Sequence, residues 1–169
     1  MINIVLFEPE IPGNTGNIMR TCVGTNAKLH LIKPLGFSLE DKYLKRSSAN
    51  YLEHLNYEVY ENYEDFKSKN KGTYYYFTRY GKKPHTSFDY SNRDENIYLV
   101  FGKESDGLPK EILRENLDHC MRIPMSKNIR ALNLSNCAAI VVYEVLRQQD
   151  YNDLLRKEPH KSEDYILED

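Results

Sequence analysis

Ile2-Asn-Ile-Val-Leu-Phe7, then Glu8-Pro-Glu-Ile-Pro-Gly-Asn14, then Thr15-Gly-Asn-Ile-Met-Arg-Thr-Cys-Val-Gly24, is the stretch whose reading decides the fold. The first segment is almost wholly apolar and rich in β-branched residues, and it is bounded by Pro9 and Pro12. Such a run reads as a strand buried on both faces, which implies a parallel sheet. A helix is expected next, starting at Asn14 or Thr15, either of which can cap it, and ending near Gly24 or Asn26. At about 100° per residue, Ile18, Met19, Cys22 and Val23 share one arc, while Asn17, Arg20, Thr21 and Gly24 share the opposite one. Arg20 therefore points away from the helix's own core face. A second apolar run at 29–32 completes a strand, helix, strand unit, so the chain is read as α/β with a parallel sheet flanked by helices.

Working outward, residues 41–48 read as a short basic helix carrying Lys42, Lys45 and Arg46. Strands are expected at 57–60, 73–78, 97–101 and 120–123, and helices at 64–71 and 108–115. The strongest helical pattern spans 133–149. Leu134, Cys137, Ala138, Val141 and Val145 form one stripe, yet Ala139, Ile140, Val142 and Leu146 make the other side apolar as well. One face is expected to meet the sheet and the other a second copy of the chain, giving a homodimer through this helix. Residues 1–150 are read as one domain and 151–169 as a polar, acidic tail.

The 169 residues, 40% hydrophobic and 28% charged, suit a single compact core. The N-terminal apolar stretch is too short for a signal peptide and has no basic leader, and no run approaches the roughly 20 apolar residues a bilayer requires. Cys22, Cys120 and Cys137 are far apart with no CxxC pairing, which argues against a disulfide framework or zinc knuckle and for a reducing, cytoplasmic setting. The five histidines, at 30, 54, 85, 119 and 160, show no metal-ligand spacing, so no metal is expected. Net charge is −2, but residues 150–169 hold seven acids and three bases; removing them from the totals of 25 and 23 leaves 18 acids and 20 bases, a net of +2 for residues 1–149. That balance permits a polyanionic partner without requiring one.

Three strings place Gly, Asn, Ser and Pro at strand ends, where open α/β sheets put their ligand sites. The first is Pro12-Gly-Asn-Thr-Gly-Asn-Ile-Met-Arg20, which lacks both the GxGxxG and the GxxxxGK[ST] patterns of nucleotide-phosphate loops. The second is Leu99-Val-Phe-Gly-Lys-Glu-Ser-Asp-Gly-Leu-Pro109, in which Gly102 and Gly107 permit close backbone approach around Glu104. The third runs from Arg122-Ile-Pro-Met125 through Arg130 to Asn133-Leu-Ser-Asn136, where a strand gives way to a loop and the long helix. An ordinary turn explains part of the second string, and helix capping by Asn133 or Ser135 part of the third.

Together the strings resemble the three motifs of the SPOUT methyltransferases, in particular the small branch that methylates the ribose 2′-hydroxyl of tRNA at cytidine or uridine 34. The likeness lies in Asn14-x-Gly-Asn-x-x-Arg20, Gly102-x-Glu-x-x-Gly-Leu-Pro109, and Ile123-Pro-Met125 followed by Asn133-Leu-Ser-Asn136 and a Val-rich helix. It runs from Asn3 to about Gln149. The resemblance implies an α/β domain with a C-terminal trefoil knot that holds S-adenosylmethionine. It places the cofactor against Phe77, Gly102, Glu104, Ile123, Met125, Ala131, Leu132, Leu134 and Asn136.

It also implies that Arg20 stands near the 2′-hydroxyl, supplied by one subunit to a cofactor site formed by the other or by both, with Asn14 and Ser135 completing the catalytic group. Arg130, Tyr143, Lys42 and Arg46 are the residues expected to meet tRNA. Arginine holds its proton too strongly to be a good base, so Arg20 is read as a positioner of the target phosphate and a stabiliser of developing alkoxide charge. Two other readings stay open: the same fold acting on another RNA such as ribosomal RNA, and a noncatalytic RNA-binding protein.

Overall fold

The computed structural model describes residues 1–48 and 51–169. Its central sheet has seven strands in the order β3-β2-β1-β6-β4-β7-β5. These are β1 (Ile2–Phe7), β2 (Lys28–Ile32), β3 (Tyr57–Tyr60), β4 (Thr73–Phe77), β5 (Lys83–Pro84), β6 (Ile97–Phe101) and β7 (Cys120–Arg122). Every strand pair is parallel. The central position of β1, with all six residues buried, accounts for its unbroken apolar sequence.

Helices α1 (Pro12–Thr25), α2 (Lys42–Ser48), α3 (Tyr63–Lys69), α4 (Lys110–Arg114) and α5 (Leu134–Gln148) cover the two faces. Because side chains alternate along a strand, Ile4 and Leu6 of β1 join Ile18, Met19, Val141 and Val145 under α1 and α5. Val5 and Phe7 point the other way, into a tyrosine-rich cluster with Tyr60, Phe66, Tyr74, Tyr76 and Tyr98. Within that second layer His30 is fully buried between two polar partners, Tyr60 Oη on Nδ1 and Asn3 Oδ1 on Nε2, each at 2.8 Å. Burial, reinforced by Lys28 and opposed by Glu58, pushes its pKa down to about 4, so the ring is neutral in the fold.

Two expectations are corrected. Helix α1 begins at Pro12, two residues before Asn14, and neither Asn14 nor Thr15 caps it. Val142 and Leu146, assigned to the outer face of α5, are buried in the chain's own core. That leaves Ile140 and Tyr143 as its large exposed apolar residues, 40% and 48% accessible. The two-residue strand β5 was not foreseen.

Candidate active site

Because all strands run parallel, the segments after β1, β6, β4 and β7 leave from the same edge of the sheet and converge there. The first two interlock through a pair of glutamates. Glu104 accepts hydrogen bonds from the backbone N–H groups of Glu10 (2.9 Å) and Ile11 (3.1 Å), the residues that lead into α1. In return Glu10 accepts from the backbone N–H and hydroxyl of Ser105, at 3.0 and 2.8 Å. A carboxylate supplied from 93 residues beyond the cap position Ile11 thus does the work expected of a local cap, and its charge suits the positive end of a helix.

Asn14, 8% exposed, continues this chain of contacts. Its Nδ2 lies 3.4 Å from Glu104 Oε1, and its Oδ1 accepts from Asn133 Nδ2 at 3.0 Å. Asn133 in turn caps α5, accepting from the Ser135 backbone N–H at 2.9 Å and the Ser135 hydroxyl at 2.6 Å. One string of hydrogen bonds therefore joins Glu104, Asn14, Asn133 and Ser135, drawn from all three sequence motifs. Gly102 is required by packing, since a Cβ there would come within 2.2 Å of the Gly107 carbonyl carbon, and Gly107 itself takes φ +70°.

A mostly apolar cavity opens at the same edge. Phe77, Ile123, Met125, Ala131 and Leu132, all expected to meet a cofactor, line it. Phe101 was missed; it pairs in register with Phe77, and the two rings stack with centroids 4.9 Å apart. Thr78, Arg79, Arg122 and Cys137 complete the wall. Burial raises the Cys137 pKa, so its thiol stays protonated at neutral pH and serves as lining, not as a nucleophile. The enclosed volume is about 100 Å³. That is below the roughly 300 Å³ at which small-molecule sites usually start. Phe77 and Phe101 of its wall belong to the sheet, while Ile123, Met125, Ala131 and Leu132 come from the irregular segment 123–133.

The remaining expected residues lie around this centre. Leu134 packs against the core at the start of α5 and Asn136 is exposed in its first turn. Glu104 is committed to the α1 entry and is not part of the cavity wall. Arg20 is exposed on α1, its guanidinium 5.3 Å from the Tyr51 ring centroid, and it does not line the cavity of its own chain. Lys42 and Arg46 are exposed on α2, which packs on α1 where Gly16 admits it. Arg130 is exposed on the 123–133 segment. Tyr143 borders a separate open cleft with Gly24 and Asn26. Among the described residues, no group of three or more His, Cys, Asp or Glu side chains is placed to hold a metal ion, and no helix is long and apolar enough to cross a membrane.

With this geometry in hand, comparison with known proteins is informative. Residues 1–143 match the SpoU rRNA Methylase family. A Bacillus subtilis (strain 168) protein provisionally named tRNA (cytidine(34)-2′-O)-methyltransferase is 53% identical over 154 residues, covering 90% of this chain and 96% of its own length. A solved structure concerned with 2-OH methylation of C/U34 on tRNA superposes with a TM-score of 0.83 at 34% identity, covering 90% of this chain and 98% of the other. An AdoMet-bound rRNA methyltransferase from Sinorhizobium meliloti gives a TM-score of 0.77 at 25% identity, over 86% of this chain and 56% of that one.

Proposed function

The chain belongs to the SpoU rRNA methylase family, and on that premise we propose that it methylates tRNA, moving the methyl group of S-adenosylmethionine to the ribose 2′-hydroxyl of the wobble nucleotide, cytidine or uridine 34. The observation that carries this reading is the junction of the Glu104–Asn14–Asn133–Ser135 string with an apolar cavity at one edge of the sheet. The relatives named for position 34 match this chain across about nine-tenths of its length.

The residues present fit the cofactor. Phe77, Phe101, Ile123, Met125 and Leu132 offer apolar walls for an adenine ring and a methionine chain. The 123–133 segment carries no strand or helix, which leaves backbone N–H and C=O groups for the polar edges of a ligand. Bound S-adenosylmethionine supplies an electrophilic methyl group on a sulfonium. The protein's tasks are then alignment of the ribose oxygen, exclusion of water and stabilisation of negative charge on that oxygen. Arg20 binds the phosphate of the target nucleotide and faces the developing alkoxide. A phosphate oxygen, Ser135 or water receives the hydroxyl proton, because a guanidinium stays protonated. Asn14 and Glu104 fix the start of α1, and with it the direction of Arg20.

The active form is a homodimer in which Arg20 of one subunit serves the cavity of the other. Supporting this, Arg20 stands away from its own cavity, and α5 keeps Ile140 and Tyr143 exposed. A trefoil knot formed by segment 123–133 and α5 belongs to the same proposal. Its support is the strand order, in which β6 inserts between β1 and β4 while β7 lies beyond β4, followed by the return of α5 to pack on α1, β1 and β6. Residues 1–150 form the catalytic unit; of 151–169, Tyr151 and Leu154 still pack on its core and the remainder is a tail outside it.

The test is transfer of tritium from labelled S-adenosylmethionine to tRNA from cells lacking this protein, followed by mapping of the methylated nucleotide. Label at the 2′-oxygen of nucleotide 34 is expected. Label only at another nucleotide, or none in tRNA while ribosomal RNA offered in a parallel reaction is labelled or stays blank, would overturn the proposal.

A further inference from the structure

Beyond the cavity and its hydrogen-bonded string, the described residues hold a second cleft of suitable chemistry, at the ends of β2 and β3. It is a shallow depression, wide open to solvent, of about 650 Å³. Its floor is apolar and half-buried, made of Leu35, Phe37, Leu39 and Val59. At its rim Lys33 Nζ and Glu61 Oε1 form an ion pair at 3.0 Å, their side chains 47% and 76% exposed. A flat apolar floor with one donor and one acceptor at its edge is the set of groups that recognises a nucleobase: the ring lies on the apolar surface and the edge meets the polar pair.

The cleft's position ties it to methyl transfer. The Gly36 backbone N–H donates to the Pro9 carbonyl at 2.9 Å, and a Cβ on Gly36 would come within 2.6 Å of the Glu10 carbonyl oxygen. The loop that lines the cleft is therefore pressed, backbone to backbone, on the loop that Glu104 holds in place. Chain direction then leads straight into α2, whose Lys42 and Arg46 are exposed and able to meet phosphates.

We propose that this cleft receives an unstacked base of the RNA substrate, a neighbour of the methylated nucleotide in the single-stranded loop, with Phe37 beneath its ring and Glu61 and Lys33 at its edge. The inference rests on the functional reading above. It assigns Lys33, Phe37 and Glu61 to substrate selection and not to chemistry.

The experiment uses the full-length protein and an anticodon stem-loop RNA, together with the same RNA carrying a single abasic nucleotide at each position flanking the target. For the wild type, one abasic position raises KM for RNA about tenfold with kcat changed less than about twofold, the size of effect one base-edge contact supplies. Glu61→Gln and Lys33→Ala, both at exposed positions, raise KM on the intact RNA by a similar factor and have no effect on that abasic RNA. Phe37→Leu, which keeps an apolar floor without the ring, behaves in the same sense. Affinity for S-adenosylmethionine is unchanged in all three variants. If intact and abasic RNAs respond equally to the substitutions, or if KM does not move, the cleft proposal is wrong while the methyltransferase reading stands. If the wild type methylates none of these RNAs and no tRNA, both fall together.

Discussion

Glu104 makes the contacts on which the geometry around Asn14 depends. Two backbone N–H groups converge on its carboxylate, and a neutral side chain of the same shape cannot accept both well. Glu104→Gln turns an NH2 group toward one of those donors. Hydrogen bonds to charged groups contribute about 1.5–3 kcal/mol each, so urea unfolding is expected to show a loss in that range, with kcat falling further than affinity for S-adenosylmethionine. Arg20 stands in contrast: it is exposed, it rests on the Tyr51 ring, and it stabilises little. Arg20→Ala should abolish methyl transfer while calorimetry finds cofactor affinity within a few fold of wild type; loss of cofactor binding would count against the role given to it. The candidate residues Asn14, Glu104 and Ser135 were legible in the sequence only through the resemblance of their three strings to the SPOUT motifs; residue type and position alone left an ordinary turn or helix cap as an equal explanation. Their partners were not, since Asn14 and Asn133 lie 119 residues apart and only the fold brings them to 3.0 Å. Phe101 was overlooked for the same reason: nothing local says that β6 lies beside β4 in a register that sets it against Phe77.

Helix α1 shows how elements transmit such constraints. Its junction with α2 is closed by Gly16, where a Cβ would meet the Leu44 carbonyl oxygen and Ser47 Cβ, each at 2.6 Å. Gly16→Ala must push α2 away, at a cost typical of overpacking, about 1–3 kcal/mol, and it displaces Lys42 and Arg46; KM for tRNA should rise more than KM for the cofactor. On the other side of the sheet, β2 carries His30 into the tyrosine cluster in its neutral form. The unfolded chain takes up a proton near the ordinary pKa of 6.5, the folded one only near 4, so acidification through that interval favours unfolding. At about 1.4 kcal/mol per pKa unit, as much as about 3 kcal/mol is lost between these limits. His30→Gln should flatten most of that slope in urea titrations between pH 6.5 and 5, above the range where the carboxylates lose their charge; the residue of the slope belongs to His85, whose pKa burial also lowers. Strands such as β1 and β6 were readable as apolar runs, because burial on both faces leaves a mark in composition alone. Strand β5 was not, for its two residues are a strand only by virtue of pairing with β7. The start of α1 was misjudged because its cap comes from another part of the chain, and the outer face of α5 because Val142 and Leu146 meet the chain's own core.

Charge is a property of the entire molecule, and here it is divided against the proposed substrate. Residues 1–149 carry a net +2 and residues 150–169 a net −4, so the tail lowers the attraction for a polyanion that the rest of the chain provides. Residues 158–169 are exposed throughout, whereas Tyr151 and Leu154 pack against the core and Arg156 bonds to Asp150. Cutting after Lys157 therefore leaves the packed part intact. The cut removes Glu158, Glu163, Asp164, Glu168 and Asp169 together with Lys161, which shifts the formal charge from −2 to +2. Stability should stay within about 0.5 kcal/mol of the full chain, as for exposed surface changes in general. Affinity for tRNA should rise several fold at low ionic strength. The gain should fade as salt is added and vanish near 1 M, where charges are screened beyond roughly 3 Å. A filter-binding series across salt concentrations separates this long-range effect from a direct one. If truncation weakens tRNA binding, or changes it by the same factor at every salt concentration, the tail touches the RNA or the site itself, and repulsion is the wrong account of it.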